Sequence, residues 1–370
     1  MTAYLVTGAT GFLGGQLVER LLADPEAVVH VLVRDGSRGK LASRARRWNG
    51  GDRVRPLIGD LLLPHLGVDD ATVKELHGTI DHLVHLAALY DMTTDDATNE
   101  AVNVGGTASV VELANRLEVG CLHHVSSVAV AGDYPGTFTE DMFDEGQPLT
   151  SPYHRTKFEA EKIVRTQAKV PWRVYRPAIV VGHSQTGEID KIDGPYYLFE
   201  TIRRLANLPS PMRLVAPNLG DTNVVPVDFV ADAMHHLIHA PGLDGQAFHL
   251  ASPRPQPVTS VFNAFARAAG APRLLQVLPK VSLGPTGRLG SLFGRIPGAE
   301  LSRDVLLDQL GIPLEVLPHV AFHAHFDTSR TQAALAGTDI DVPQLKAYAP
   351  VLWKYWTENL YRNRARDARE

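Results

Sequence analysis

At 370 residues the chain is long enough for a dinucleotide-sized domain plus a second lobe, and a 44% hydrophobic composition suits a globular core. Its 36 Lys and Arg against 41 Asp and Glu leave a net charge of −5, which offers no basic field for nucleic acid. A single cysteine, Cys121, excludes an internal disulfide and fits a reducing cytoplasm, and no apolar run approaches the roughly eighteen residues of a spanning helix.

The first element is a short apolar strand, Tyr4-Leu5-Val6-Thr7, which starts so near the first residue that no room is expected for a targeting peptide. It runs into Gly8-Ala9-Thr10-Gly11-Phe12-Leu13-Gly14. Glycines at 8, 11 and 14 allow a tight turn, a close approach of backbone to a pyrophosphate, and packing of the next helix on the sheet. The helix N-terminus then offers unpaired N–H groups to the phosphates. Phe12, Leu13, Leu17, Val18, Leu21 and Leu22 recur at helical spacing, Asp24-Pro25 ends the helix, and Val28 to Val33 forms a second strand. This is a βαβ unit with a dinucleotide loop, and Gly8, Thr10, Gly11, Phe12, Leu13 and Gly14 are its expected cofactor contacts.

The end of the second strand faces the adenosine ribose, where an acidic residue would bind the 2′-hydroxyl of NAD. Arg34 stands there, followed by Arg38, Lys40, Arg44, Arg46 and Arg47, a set suited to the 2′-phosphate of NADP(H). For Arg44 to Arg47 a solvated basic helix face is an equal reading.

Strands follow at Val54 to Ile58 before Gly59-Asp60-Leu61, at Ile80 to Leu86 before Ala87-Ala88, and at Gly120 to Val125 before Ser126-Ser127. Helical stretches separate them, so the strands are parallel and their carboxyl ends share one crevice. Asp60 and Leu61 are expected near the adenine. Ala87 and Ala88 either let the backbone pass close to ribose and phosphates or serve packing alone. The fold class is therefore α/β, a Rossmann-like doubly wound parallel sheet with a smaller C-terminal substrate lobe.

After the fifth strand, Ser151-Pro152-Tyr153-His154-Arg155-Thr156-Lys157 opens a helix with Ser as N-cap and Pro in the first turn. Four-residue spacing puts Tyr153 and Lys157 on one face, where the ammonium favours the ionised phenol. Such a tyrosine donates a proton to an oxyanion at neutral pH, and Ser127 at the strand end is placed to hydrogen-bond the same oxygen.

Together with Val125-Ser126-Ser127 and Arg176-Pro177, these motifs resemble the extended short-chain dehydrogenase/reductase superfamily. The resemblance implies that Ser127, Tyr153 and Lys157 are catalytic, with Lys157 also holding the nicotinamide ribose and Ser126 also a cofactor contact, that residues around Arg176-Pro177 approach the nicotinamide, and that Asn103, in Asn103-Val104-Gly105-Gly106-Thr107, organises a water near Lys157. Asn103 as a plain helix-end residue is an equal alternative.

A narrower likeness spans nearly the whole chain. His124-Val125-Ser126-Ser127-Val128-Ala129, Glu140-Asp141-Met142-Phe143, Gly182-His183-Ser184-Gln185-Thr186-Gly187-Glu188, Asp193-Gly194-Pro195-Tyr196-Tyr197, Val224-Val225-Pro226-Val227-Asp228-Phe229-Val230 and Tyr348-Ala349-Pro350-Val351-Leu352-Trp353 look like the N-terminal reductase domain of bacterial two-domain fatty acyl-CoA reductases. Those enzymes are relatives of carboxylic acid reductase terminal domains. The likeness implies NADPH-dependent reduction of a fatty acyl-CoA or fatty aldehyde, and a second reductase domain following in longer relatives. Two other readings stand beside it: a nucleotide-sugar epimerase or dehydratase of the same superfamily, and a non-catalytic dinucleotide sensor.

Beyond Arg176-Pro177 the helices shorten and Pro and Gly become frequent. Residues 1–250 are expected to form the dinucleotide core, with parts of the substrate lobe from about 183 and a late strand at Gln246 to Ala251. Residues 251–361 are expected to form the lobe, with Trp353, Trp356 and Leu360 docking the last helix, and 362–370 a charged tail or linker. The irregular stretch Pro272 to Pro318 is either a surface loop or an apolar lid able to touch a membrane. His319, His323 and His325 lack cysteine or carboxylate partners at zinc-site intervals, so no metal is expected. His154 and Arg155 either meet the phosphates of a CoA thioester or are solvated.

Overall fold

The computed structural model describes residues 1–88, 96–190, 194–208, 213–216, 219–254, 256–276 and 322–361. Seven strands form the main sheet: β1 (Ala3–Thr7), β2 (Val28–Val33), β3 (Val54–Ile58), β4 (His82–His85), β5 (Cys121–Val125), β6 (Trp172–Pro177) and β7 (Gln246–Leu250). Their order is β7-β6-β5-β4-β1-β2-β3, and every neighbouring pair is parallel. Central strands are buried almost without interruption, as helices on both faces require; β5 has every residue buried. β3 alternates more because it is the edge strand, and its Pro56 costs no ladder bond on the open side. This is the Rossmann-like α/β fold expected.

Around the sheet run α1 (Phe12–Leu21), α2 (Arg38–Arg47), α3 (Asp70–Leu76) and α4 (Asp96–Glu100). The last continues through a π-type turn, Ala101–Gly105, into α5 (Gly106–Leu117). Two more helices, α6 (Pro152–Gln167) and α7 (Val227–His239), follow. One core joins Leu5, Leu83, Leu122 and Val174 of the sheet to Val110, Leu113, Ala114 and Leu117 of α5. Each such leucine removed from water contributes roughly 1.5–3 kcal/mol before the entropy of ordering is subtracted.

β6 is a strand that periodicity does not mark, because it carries Arg173 and Arg176 inward. Arg173 is satisfied by Asp244 at 2.9 Å and by the carbonyls of Leu237 and Ala240 at 2.5 and 2.7 Å. Arg176 has no exposed surface and meets Glu161 of α6.

The chain divides into two units: Met1–Val180 with Val225–Pro253 and Ala324–Val342, and Val181–Val224 with Arg254–His323 and Pro343–Glu370. The expected lobe at 251–361 is thus interrupted. Ala324–Val342 belongs with the sheet unit because Ala324–Phe326 pairs in parallel with Gly136–Phe138, and Glu140 binds the backbone that follows. The late strand ends at Leu250, one residue earlier than expected.

In the second unit, the helix Val258–Ala269 buries Val261, Phe262 and Phe265 and stops at Gly270 with φ +71. Phe199 packs against Phe265, Trp353 and Trp356 at ring separations of 4.5, 5.2 and 5.5 Å. The last helix is docked inside that unit, as its tryptophan spacing suggests. Most of Pro272 to Pro318, together with His319 and the tail 362–370, lies outside the described residues.

Candidate active site

The glycine loop lies between β1 and α1, at the point where the sheet order reverses direction. Gly8 sits at φ +77, and a Cβ there would come within 2.7 Å of the Ala87 backbone N at the end of β4. At Gly14 a Cβ would run into the Gly8 carbonyl, so neither position admits a side chain. The turn closes by Gly11 N–H donating to Gly8 O at 2.9 Å. Gly11 caps α1 with extended backbone and supplies no side chain to its first N–H groups. Thr10, Gly11, Phe12 and Leu13 keep contact with solvent while Ala9 and Gly14 are buried. The helix end is thus bare and open, the arrangement an anion needs.

Thr7 is buried beneath the loop; its hydroxyl accepts from Ala87 N at 3.2 Å and bonds His85 Nδ1 at 2.7 Å. Arg34, at the end of β2, is exposed, as are Arg38 and Lys40; Arg38 pairs with Asp35 at 2.7 Å. Arg44 reaches back from α2 to α1, for a Cβ on Gly15 would lie 2.7 Å from its guanidinium Nη1. Asp60 takes Leu62 N–H on its carboxylate at 3.0 Å and its own N–H donates to Leu66 O at 2.8 Å, which folds the loop after β3. Leu61 lies against Gly106, 3.2 Å from where a Cβ would stand. Ala87 is half-buried and Ala88 exposed, whereas Ser126 and Pro177 are buried.

The structure brings Lys157 to the end of β5. Ser151 caps α6, its hydroxyl accepting from His154 N at 3.1 Å, and Pro152 sits in the first turn, so the sequence signals fix where the helix begins. Lys157 is buried, and its Nζ donates to Val125 O at 3.3 Å, two residues before Ser127. Tyr153 stands one turn nearer the N-terminus on the same face, and both Tyr153 and Ser127 keep partial access to solvent. Ser127 Oγ accepts from Ala129 N at 3.2 Å, which leaves its hydrogen available to donate. Burial pushes the Lys157 ammonium down to about 8, with the Glu161 carboxylate pulling the other way.

Asn103 lies in the π-type turn, buried; its side-chain amide donates to Thr156 Oγ1 at 3.4 Å and its backbone carbonyl accepts from Thr107 Oγ1 at 2.6 Å. Thr107 also meets His85 Nε2 at 3.1 Å. A polar chain therefore runs from Thr7 through His85, Thr107 and Asn103 to the helix bearing Tyr153. His85 is not singled out by its sequence position, because a histidine ending an apolar strand reads as an ordinary core residue.

Against known proteins, the family described as Male sterility protein, an NAD-binding family, matches residues 6–234. The chain belongs to this family. A linear gramicidin synthase from Brevibacillus parabrevis is 31% identical over 267 residues, covering 68% of the chain and 5% of that protein. Glycine betaine reductase ATRR of Emericella nidulans is 32% identical over 281 residues, covering 70% of the chain and 22% of that protein. The chain therefore spans only a minor part of these curated relatives. Among solved structures, the terminal R domain from the myxalamid PKS-NRPS biosynthetic pathway aligns with TM-score 0.76 at 26% identity, covering 98% of this chain and 92% of that one. UDP-glucuronic acid 4-epimerase from Bacillus cereus aligns with TM-score 0.64 at 16% identity over 98% of both chains, a likeness of fold alone.

The residues present fit the dinucleotide that the family implies: the loop at Gly8 to Gly14 is stripped of side chains where a Cβ would collide with backbone, and α1 opens uncapped. Arg176, beside the Pro177 expected near the nicotinamide, turns inward to Glu161 at 2.6 Å and to His249 at 3.2 Å. Among the described residues no group of three or more His, Cys, Asp and Glu is arranged to hold a metal, and no helix is long and apolar enough to cross a membrane.

Proposed function

We propose that this family member is an NADPH-dependent reductase of acyl thioesters, forming the aldehyde and, from it, the alcohol, with fatty acyl-CoA thioesters and fatty aldehydes as its substrate class. The observation that carries the reading is the buried Lys157 ammonium held on Val125 O directly before Ser126-Ser127, with Tyr153 one helical turn away. On this reading the Ser127 and Tyr153 hydroxyls serve one substrate oxygen with the Lys157 cation behind them, the equipment for protonating a developing alkoxide.

The reduced nicotinamide, when bound, supplies the hydride. Gly8, Thr10, Gly11, Phe12, Leu13 and Gly14 would hold the pyrophosphate, Arg34 with Lys40 the 2′-phosphate, Asp60 and Leu61 the adenine, and Ala87, Ala88, Asn103, Ser126 and Pro177 the path toward the nicotinamide. Ser127 and Tyr153 donate hydrogen bonds to the substrate carbonyl oxygen as charge builds there. Tyr153 transfers its proton to that oxygen, and Lys157 favours the resulting phenolate. From a thioester this gives a hemithioacetal; its hydroxyl proton returns to the Tyr153 phenolate as the C–S bond breaks, releasing aldehyde and a thiolate that takes a proton from water to become thiol. From the aldehyde the same steps give the alcohol.

Support also comes from a relative named as a reductase, glycine betaine reductase ATRR. An epimerase of the same fold would use NAD and an acidic residue where Arg34 stands.

The test is NADPH consumption by the purified chain with a long-chain acyl-CoA, the same acyl group on pantetheine, the free fatty aldehyde, or a UDP-sugar. Turnover of the thioesters is expected, with aldehyde or alcohol as product. Absence of turnover with all three acyl substrates would overturn the proposal.

A further inference from the structure

Tyr153, Lys157 and Glu161 follow one another at four-residue steps along one face of α6, so the helix carries a phenol, an ammonium and a carboxylate in line. Glu161 has no exposed surface. Arg176 clamps it from β6, with Nε 3.2 and 3.1 Å from the two carboxylate oxygens and Nη2 at 2.6 Å, and Arg165 adds Nε at 2.8 Å. Arg176 is itself fixed by Met142 O at 2.9 Å and His249 Nε2 at 3.2 Å. Burying a carboxylate this deeply costs several kcal/mol of desolvation, which its ion pairs must offset. Lys157, one turn back along the helix, is a buried cation whose hydrogen bond goes to a backbone carbonyl and not to a carboxylate.

We propose that Glu161 is a positioning residue: its carboxylate, pinned by Arg176, keeps Lys157 charged and directed at Val125 O behind Tyr153 and Ser127. The functional consequence rests on the reductase reading, whereas the effect on Lys157 does not.

Burial is what disfavours the charge on Lys157. His124 on β5 and His85 on β4 both face it and stay neutral: burial, then the ammonium itself, brings His124 to about 3, and His85 lies well below its ordinary value through burial, then His124, then Lys157. Neither can supply a counter-charge at neutral pH. Among the described residues Glu161 is the anion acting on Lys157; burial alone would raise its carboxyl, but Arg176 and then Arg165 hold it at about 2. His249, facing Arg176, is neutral at about 3 through burial, then Arg176. Within this cluster Lys157 is the group that changes charge near pH 8.

The experiment follows the lysine ε-carbon by NMR in the protein without added cofactor, with Lys157 assigned by the signal lost in Lys157→Met, alongside the pH profile of turnover. Glu161→Gln is expected to lower the Lys157 midpoint by about one unit, the size expected for losing a nearby opposite charge. Turnover at pH 8 would then fall about fivefold more than at pH 6, since the ammonium fraction drops from about half to about a tenth. Glu161→Asp should recover most of the midpoint. Because Glu161→Gln strands a buried guanidinium, the double variant Glu161→Gln/Arg176→Met keeps the test open if the single one misfolds, and the same downward shift is expected. A midpoint unmoved in folded variants, with only the melting temperature reduced, would leave Glu161 a structural residue and overturn the inference. A shifted midpoint in a protein that reduces no thioester would sustain it while removing the proposed function.

Discussion

Tyr153 and Lys157 meet water differently, and the difference divides the labour between them. Tyr153 keeps partial exposure, which the proposed proton donor would need, whereas Lys157 is 6% exposed and commits its ammonium to Val125 O. Replacing Tyr153 by Phe keeps the ring and removes only the proton donor. Turnover of acyl thioester should fall roughly 10²–10⁴-fold, with NADPH affinity nearly unchanged by fluorescence titration. Retained activity would eliminate the proton-transfer role. At the other end of the crevice, Arg34 closes β2 on the surface. If Arg34 holds the 2′-phosphate as proposed, Arg34→Asp replaces that cation with an anion suited to a ribose hydroxyl, so NADPH affinity should drop about tenfold to a hundredfold while NADH affinity holds or rises. An unchanged preference would move the phosphate contact elsewhere, and Arg44, lying over the first turn of α1, is where to look next.

Elements built on apolar periodicity and glycine punctuation are legible in the sequence: β1 to β5, α1, the loop at Gly8 and the capped start of α6 all lie where spacing puts them. Elements held by buried polar groups are not. β6 looks unlike a core strand because Arg173 and Arg176 interrupt it, and only their distant partners Asp244 and Glu161 reveal why they are tolerated. The return of Ala324–Val342 to the sheet unit is equally hidden, since one carboxylate far back in the chain arranges it. Glu140 accepts from His249 N at 2.8 Å, Arg330 N at 2.7 Å, Thr331 N at 3.1 Å and Thr331 Oγ1 at 2.5 Å, joining β7 to the start of the helix Ser329–Ala334. Glu140→Ala leaves those buried donors unmatched. Unfolding free energy from urea titration should fall by about 2–4 kcal/mol, and limited proteolysis should cut first between 324 and 342. Wild-type stability with unaltered cleavage would show that the segment is held by its strand pairing alone.

Across the whole sheet unit, histidines buried without charge set the acid limit of the fold. His85, His123, His124 and His249 are all buried, and burial is the first cause that lowers each of them. His82, lying on His123 at 3.0 Å, falls to about 4 for the same reason and through His239. Each folded value lies below the roughly 6.5 of the unfolded chain, so the unfolded state takes up protons first. Their contribution is therefore complete above about pH 6.5 and is lost as pH falls from there toward the folded values near 4 and 3. Glu161 has the same sign but a lower window, from 4.5 down to about 2, while Glu140, raised chiefly by burial, acts oppositely. Stability by denaturant titration should rise slightly from pH 7 to 8, where the folded Lys157 begins to lose a proton that the unfolded lysine keeps, and fall steeply below pH 6.5, each fully buried histidine adding up to about 1.4 kcal/mol per pH unit. His124 provides the internal control, since neither ring nitrogen has a hydrogen-bond partner among the described residues. His124→Leu removes one proton-binding site without breaking a bond, so the acid slope should shrink by about one proton and stability at pH 5 should rise. An unaltered slope would mean that His124 is charged in the folded state, which its place beside the Lys157 ammonium opposes.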